Sequence, residues 1–248
     1  MKFDCTSSID PPSLAAMLGL TRAPALAGVV FDGPSEIKSS GVVGLGESGM
    51  NRTSAKFCAS AADVTVRGTR LSDISVSGGF DGGVLDLPAF SASVMDGTLS
   101  GAARFKTGGK DGTAAATLSL DIRDARLFRV PLFAGMTGVL AKYVPGVDFV
   151  VSQSDAHVGA TLDADRWNIS GFSVSGSAFS IDGSGTAAAD GTDLDIVARV
   201  RLLNKKTWLG RRIRDLLSPL SGLFGIRATG SLAEPHWSSA PFSRSSAK

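Results

Sequence analysis

The stretch from Asp193 to Leu202 restricts the fold more than any other part of this sequence. Leu194, Ile196, Ala198, Val200 and Leu202 fall on every second position, and Asp193, Asp195, Arg199 and Arg201 fill most of the positions between. Successive side chains of an extended strand point to opposite faces, so the pattern makes one face apolar and the other charged. A helix would scatter the same charges around its whole surface. The period returns in Ala114, Ala116, Leu118, Leu120 and Ile122, set against Ala115, Thr117, Ser119, Asp121 and Arg123. It recurs in Val64 and Val66, in Ile74 and Val76, and in Val158, Ala160 and Leu162; residues 2–8 alternate more weakly. Half-buried antiparallel strands are what such alternation supports.

Thirty glycines in 248 residues exceed the usual share of roughly 7% and follow no triplet period, so they read as punctuation between short strands or kinks within them. Gly78-Gly79, Asp81-Gly82-Gly83, Asp96-Gly97, Gly108-Gly109, Asp111-Gly112, Asp182-Gly183 and Asp190-Gly191 suit tight hairpin turns, which need positive φ. Regular helices between the strands are lacking, which excludes a βαβ sheet and leaves a meander. Two segments depart from period two. Phe128, Leu132, Met136, Val139, Leu140 and Tyr143 recur mostly at steps of three and four, with Pro131 near the start and Pro145-Gly146 after. Leu209, Ile213, Leu216, Leu217, Leu220, Leu223 and Phe224 form a second stripe, with Lys205, Lys206, Arg211, Arg212 and Arg214 on its other side. Both predict amphipathic helices, the second bent at Pro219. Leu14, Met17, Leu18 and Leu20, after Asp10-Pro11-Pro12-Ser13, predict a short N-terminal helix. The expected fold is mainly β: a curved antiparallel sheet with two amphipathic α-helices and that short helix.

Several function classes lose support. No run approaches the ~18 apolar residues that a membrane-spanning helix needs. Met1-Lys2-Phe3-Asp4 opens no apolar signal region, so a targeting sequence is expected upstream in a longer protein. Gly44-Leu45-Gly46-Glu47-Ser48-Gly49 matches a dinucleotide fingerprint, but the residues after it carry no helical stripe, and phosphate binding there needs a helix N-terminus. His157 falls on the polar side of its strand and His236 in the tail, neither beside a recognisable nucleophile motif, so no enzyme activity and no cofactor are expected. Cys5 and Cys58 read either as a bridge across a long loop or as two free buried thiols, and with two scattered histidines they make no zinc site. The basic run from Arg199 to Arg214 reads as a solvated face, as a headgroup-binding surface in which Trp208 suits a membrane interface, or, least of all, as a nucleic-acid surface, since no aromatic platform accompanies it.

Three segments stand in a telling order: "DARLFRVPLFAGMTGVLAKYVPG", "GFSVSGSAFSIDGSGTAAADGTDLDIVARVRLL" and "IRDLLSPLSGLFGIRATGSLAEPHW", the last closing on Gly230, Leu232, Pro235 and Trp237. Residues 124–237 thereby resemble the C-terminal region of the AsmA-like, TamB-related bacterial envelope family. The resemblance implies a periplasmic β-groove, taco-like in section, formed by 1–237 as one domain with 238–248 as a tail, and anchored to the inner membrane in the full-length protein. It implies lipid movement or envelope homeostasis between membranes, with no defined reaction.

A curved sheet with one apolar face forms a trough whose interior accepts acyl chains. An ordinary β core covered by the helices is the other arrangement the pattern allows. In the first, phospholipid or another acyl-chain lipid contacts Leu118, Leu120, Ile122, Leu194, Ile196, Val200, Leu202, Phe128, Leu132 and Met136, while Trp208, Arg211, Arg212 and Arg214 meet headgroups or a membrane surface. A rival function is a scaffold that offers sheet edges to envelope proteins during outer-membrane protein assembly. Nucleic acid is not an expected partner.

Overall fold

Alternation along each strand becomes, in three dimensions, one antiparallel sheet. The computed structural model describes residues 1–8, 29–44, 52–66, 68–106, 115–129, 135–139, 154–176, 179–202 and 223–240. The strands are β1 (Lys2–Ser7), β2 (Val29–Phe31), β3 (Ser35–Val42), β4 (Ser54–Val66), β5 (Thr69–Asp81), β6 (Val84–Val94) and β7 (Gly97–Lys106). They continue as β8 (Ala115–Ala125), β9 (Ser154–Asp163), β10 (Arg166–Gly176), β11 (Phe179–Ala188), β12 (Leu194–Leu202), β13 (Leu223–Gly230) and β14 (Pro235–Ala240). From β3 onward each strand pairs with the next in sequence, and β1 joins the outer side of β3. β2 pairs with the far end of β4, so β2 and β3 behave as one strand broken at Asp32-Gly33-Pro34. The Asp32 N–H donates to the Asp63 carbonyl and the Ala62 N–H to the Pro34 carbonyl, which carries the ladder across the break.

The register collects the apolar positions into rows that run across the strands. One row reads Val76, Phe90, Gly101, Leu120, Val158, Phe172, Gly183, Ala198 and Ile226 from β5 to β13. Strand bulges keep the rows aligned: irregular pairing separates Ile169 from Phe172 and Leu87 from Phe90, and moves each strand's alternation by one residue. Pro88 lies within the second of these, a position that tolerates a missing N–H.

Glycine is punctuation at some of the expected turns, among them Asp190-Gly191 with Gly191 at positive φ, and lies inside strands at others. Gly82-Gly83 does turn the β5–β6 hairpin with both φ values positive. Gly78-Gly79 lies inside β5, Asp182-Gly183 inside β11, and the turn before β7 is Met95-Asp96, both at positive φ, with Gly97 already in the strand. Some in-strand glycines, Gly78, Gly101 and Gly183 among them, face a phenylalanine ring. A Cβ on Gly183 would sit 2.5 Å from Phe172 Cε1 and 2.7 Å from the Val197 carbonyl; one on Gly101 would sit 2.6 Å from Phe90 Cζ and 2.5 Å from the Ser119 carbonyl. Their missing side chains let a ring lie over the backbone and let neighbouring strands crowd together on the apolar side, which is how a sheet acquires tight curvature.

That curvature puts the core inside. Ile181, Val200, Ile226 and Ala228 are fully buried, and the same cluster takes in Val94 of β6 and Trp237 of β14. One end of the trough is filled by the chain leaving β8. A 3-10 turn, Leu127–Arg129, places Leu127 and Phe128 in the core, where the Phe128 ring meets Phe179 edge-on at 5.4 Å. A single helical turn at 135–139 adds Met136, fully buried, and brings Gly135 against the Trp237 indole. Each such side chain stabilises the fold by about 1.5–3 kcal/mol through burial.

The helical part of the expected fold is therefore corrected. Among the described residues 79% are strand and there is one short helix, so no amphipathic helix stands there. Phe128 and Met136 recur at helical spacing because both point into the core from a tight turn and a short helical turn. Leu223 and Phe224, the end of the second expected helix, open β13. Residues 130–134, 140–153 and 203–222, and the N-terminal segment from Pro11 to Leu20, lie outside the described residues, as does 45–50 of the glycine fingerprint. β14 runs to Ala240, so the sheet takes in 238–240, which the sequence assigned to a tail. Cys5 shares a row with Ser39 and Phe57, whereas Cys58 opposes Lys38 and Ser77 on the other face. The two thiols are free and exposed, on opposite sides of the sheet, so neither the bridge nor the buried pair holds.

Candidate functional site

Within the trough lies a cavity of about 230 Å³. β8 contributes Leu120 and Ile122, β9 Val158, and β10 Ile169, Phe172 and Val174. Ile196 of β12, Trp237 of β14 and Leu232 from the β13–β14 connection close the opposite side. In a flat sheet at ~4.8 Å per strand, β8 and β14 would stand roughly 29 Å apart. Their side chains meet across one cavity because the sheet curls. The open surface of the walls is wholly apolar, so water finds no partners there; an engineered dry cavity of about 150 Å³ already accepts benzene.

Among the expected lipid-contacting residues, Leu120, Ile122 and Ile196 come together in this cavity, and Leu118 stands half-buried one row away. Leu194, Val200, Phe128 and Met136 are instead sealed in the core, 2% exposed or less. They form the packed mass behind the cavity and offer no free contact surface. Leu202 ends β12 opposite Phe179. Leu132, Trp208, Arg211, Arg212 and Arg214 lie outside the described residues. Val158, Ile169, Phe172, Val174, Leu232 and Trp237 were missed as lining. Val158 was legible from its alternation. Ile169 and Phe172 were not, because the bulge at Ser170-Gly171 gives two residues on one face an odd separation.

The outer face is polar and carries ion pairs between strands. Arg227 grips Asp195 through two hydrogen bonds, Nε to Oδ1 at 2.8 Å and a terminal guanidinium nitrogen to Oδ2 at 2.7 Å. The hydrogen bonds, aided by the guanidinium charge and opposed by partial burial, hold the Asp195 carboxyl below its ordinary range. Arg166 pairs with Asp193 at 2.6 Å, and Arg70 with Asp63 at 2.8 Å.

His157 Nδ1 lies 2.9 Å from Asp121 Oδ1, and Ser173 is its neighbour on β10. This Asp-His-Ser line has the composition of a hydrolytic triad without its geometry. The Asp121 and His157 side chains are about half exposed, and among the described residues no hydrogen bond joins Ser173 to the imidazole. A nucleophile needs that contact to lose its proton. A wide, shallow concavity across β3–β7 on the polar face is lined by charges of both signs, Lys38, Lys56, Asp81, Asp86 and Arg104 among them. Among the described residues no three His, Cys, Asp or Glu side chains stand together to hold a metal ion, and no helix is long and apolar enough to cross a membrane.

Comparison with known proteins adds no relative: no family model, no curated protein and no solved structure matches the chain.

Proposed function

We propose that this chain is a non-enzymatic, lipid-binding trough that shelters the acyl chains of phospholipid or a related lipid, as a module of phospholipid transport or envelope homeostasis. The observation that carries the reading is the apolar cavity, continuous through Leu120 and Gly101 with the half-buried apolar rows of β5–β7. Such a surface is costly to leave in water, at about 25 cal/mol per Å² of apolar area. A hydrocarbon chain answers that demand and needs no hydrogen-bond partner. The envelope setting, periplasmic and tethered to the inner membrane in the full-length protein, rests on the AsmA-like, TamB-related sequence order that ends at Trp237.

Native mass spectrometry and uptake of a fluorescent phospholipid test the proposal. Bound lipid and saturable uptake are expected, both diminished in Val158→Trp, which fills the cavity. Absence of bound lipid together with absence of uptake overturns it. One observation favours a second reading, a scaffold for assembling outer-membrane proteins. Among the described residues, the outermost strands β1 and β14 each pair on one side only, which leaves edges able to accept an added strand. Photo-cross-linkers at Thr6 and Ser238 separate the two: scaffolding yields a protein adduct and little lipid.

A further inference from the structure

Resting on the lipid-binding reading, we infer that the cavity is a blind pocket for the end of one hydrocarbon chain, about eight carbons deep. Its volume of about 230 Å³ holds about eight groups at roughly 30 Å³ each, the share of a water molecule in the liquid and close to that of a methylene.

The closed end follows from packing. Val174 and Ile196 line the cavity and are 2% and 6% exposed. Directly across the strands from Val174 stand Ile181 and then Val200, both 0% exposed. Phe128 and Met136 belong to the same cluster, so the space beyond β10 and β12 is solid protein. Interiors packed at crystal-like density offer no passage to a chain. On the β8 side the situation reverses. Leu120 is half-buried and leads along its row to Gly101, Phe90 and Val76 of β7, β6 and β5. A chain therefore enters from the β5–β7 side and stops against β11–β13. Carbons beyond the pocket lie on the open rows, partly in water, and gain less.

Isothermal titration of the full chain with n-alkyl phosphocholines from hexyl to hexadecyl, each kept below its critical micelle concentration, reads the depth. Affinity is expected to rise about fourfold per methylene up to about eight carbons, then at well under twofold. Two variants of cavity-lining residues move that break in opposite directions: Ala156→Leu on β9, whose added carbons take up pocket space, to shorter chains, and Ile196→Ala, which deepens the closed end, to longer ones. Loss of folding cannot mimic a shift to longer chains. A steady fourfold gain through hexadecyl, or a break unmoved by both variants, overturns the blind pocket while leaving lipid binding intact. No binding at any length overturns the lipid-binding reading and this inference with it.

Discussion

Replacing Gly183 by alanine tests the idea that in-strand glycines set the curvature of the trough. The new Cβ would fall 2.5 and 2.6 Å from Phe172 Cε1 and Cζ and 2.7 Å from the Val197 carbonyl oxygen. The ring can tilt, but the carbonyl belongs to β12 backbone hydrogen-bonded on both sides, so the strand itself must move. Overpacking of this kind costs about 1–3 kcal/mol. Gly171, in the neighbouring bulge, is the control. A Cβ there meets nothing within 4 Å and its φ is not in the left-handed range, so Gly171→Ala should stabilise by about 0.4–1 kcal/mol through the unfolded chain. The two variants are compared by urea unfolding followed by circular dichroism, with the m-value checked for constancy. Gly183→Ala should unfold at lower urea than wild type and Gly171→Ala at slightly higher. Equal midpoints for the two variants would refute the claim that close strand approach requires glycine at 183. Phe172 lines the cavity, so Gly183→Ala should also weaken lipid uptake.

Other outcomes follow from single side chains. Ser154 is 3% exposed and its hydroxyl has no hydrogen-bond partner among the described residues; Ser154→Ala should stabilise by about 1 kcal/mol, and a loss of stability in the same assay would contradict the unpaired assignment. Arg227 depresses the Asp195 pKa, so the pair's contribution is full above the unfolded value of about 3.9 and fades as pH falls through the lower folded value. Asp195→Asn should thus lower stability slightly at neutral pH and flatten its decline below about pH 4; an acid-unfolding curve parallel to wild type would contradict this. Cys5 and Cys58 should both react with a thiol reagent in the native protein, and oxidation should produce no intramolecular bridge; a bridged monomer by mass spectrometry would contradict their placement on opposite faces.

Much of the site was legible from alternation alone. Leu120 and Ile122 on β8 and Ile196 on β12 follow unbroken period two, and each reaches the cavity. The phenylalanine rows were harder to see. Phe172 and Ile169 share a face only because a bulge intervenes, and a bulge is settled by pairing with β9 and β11. The glycine signal misled for a related reason. Gly183 beside Asp182 has the composition of a turn, yet its role is to receive a ring from the next strand, and no local pattern records that neighbour. The helical spacing of Phe128 and Met136 misled likewise: two core-pointing side chains eight residues apart satisfy a helical period whether or not the chain between them is a helix.

Alternation marked β8 and β12 as strands with one apolar face, within an antiparallel meander, because side-chain direction along an unbroken extended chain is a local property of the backbone. How tightly the sheet curls, that Trp237 meets β8–β10, and that the chain after β8 plugs one end emerge from the folded arrangement alone. These depend on contacts between residues far apart in the chain, and an apolar row carries no mark of the row it will face.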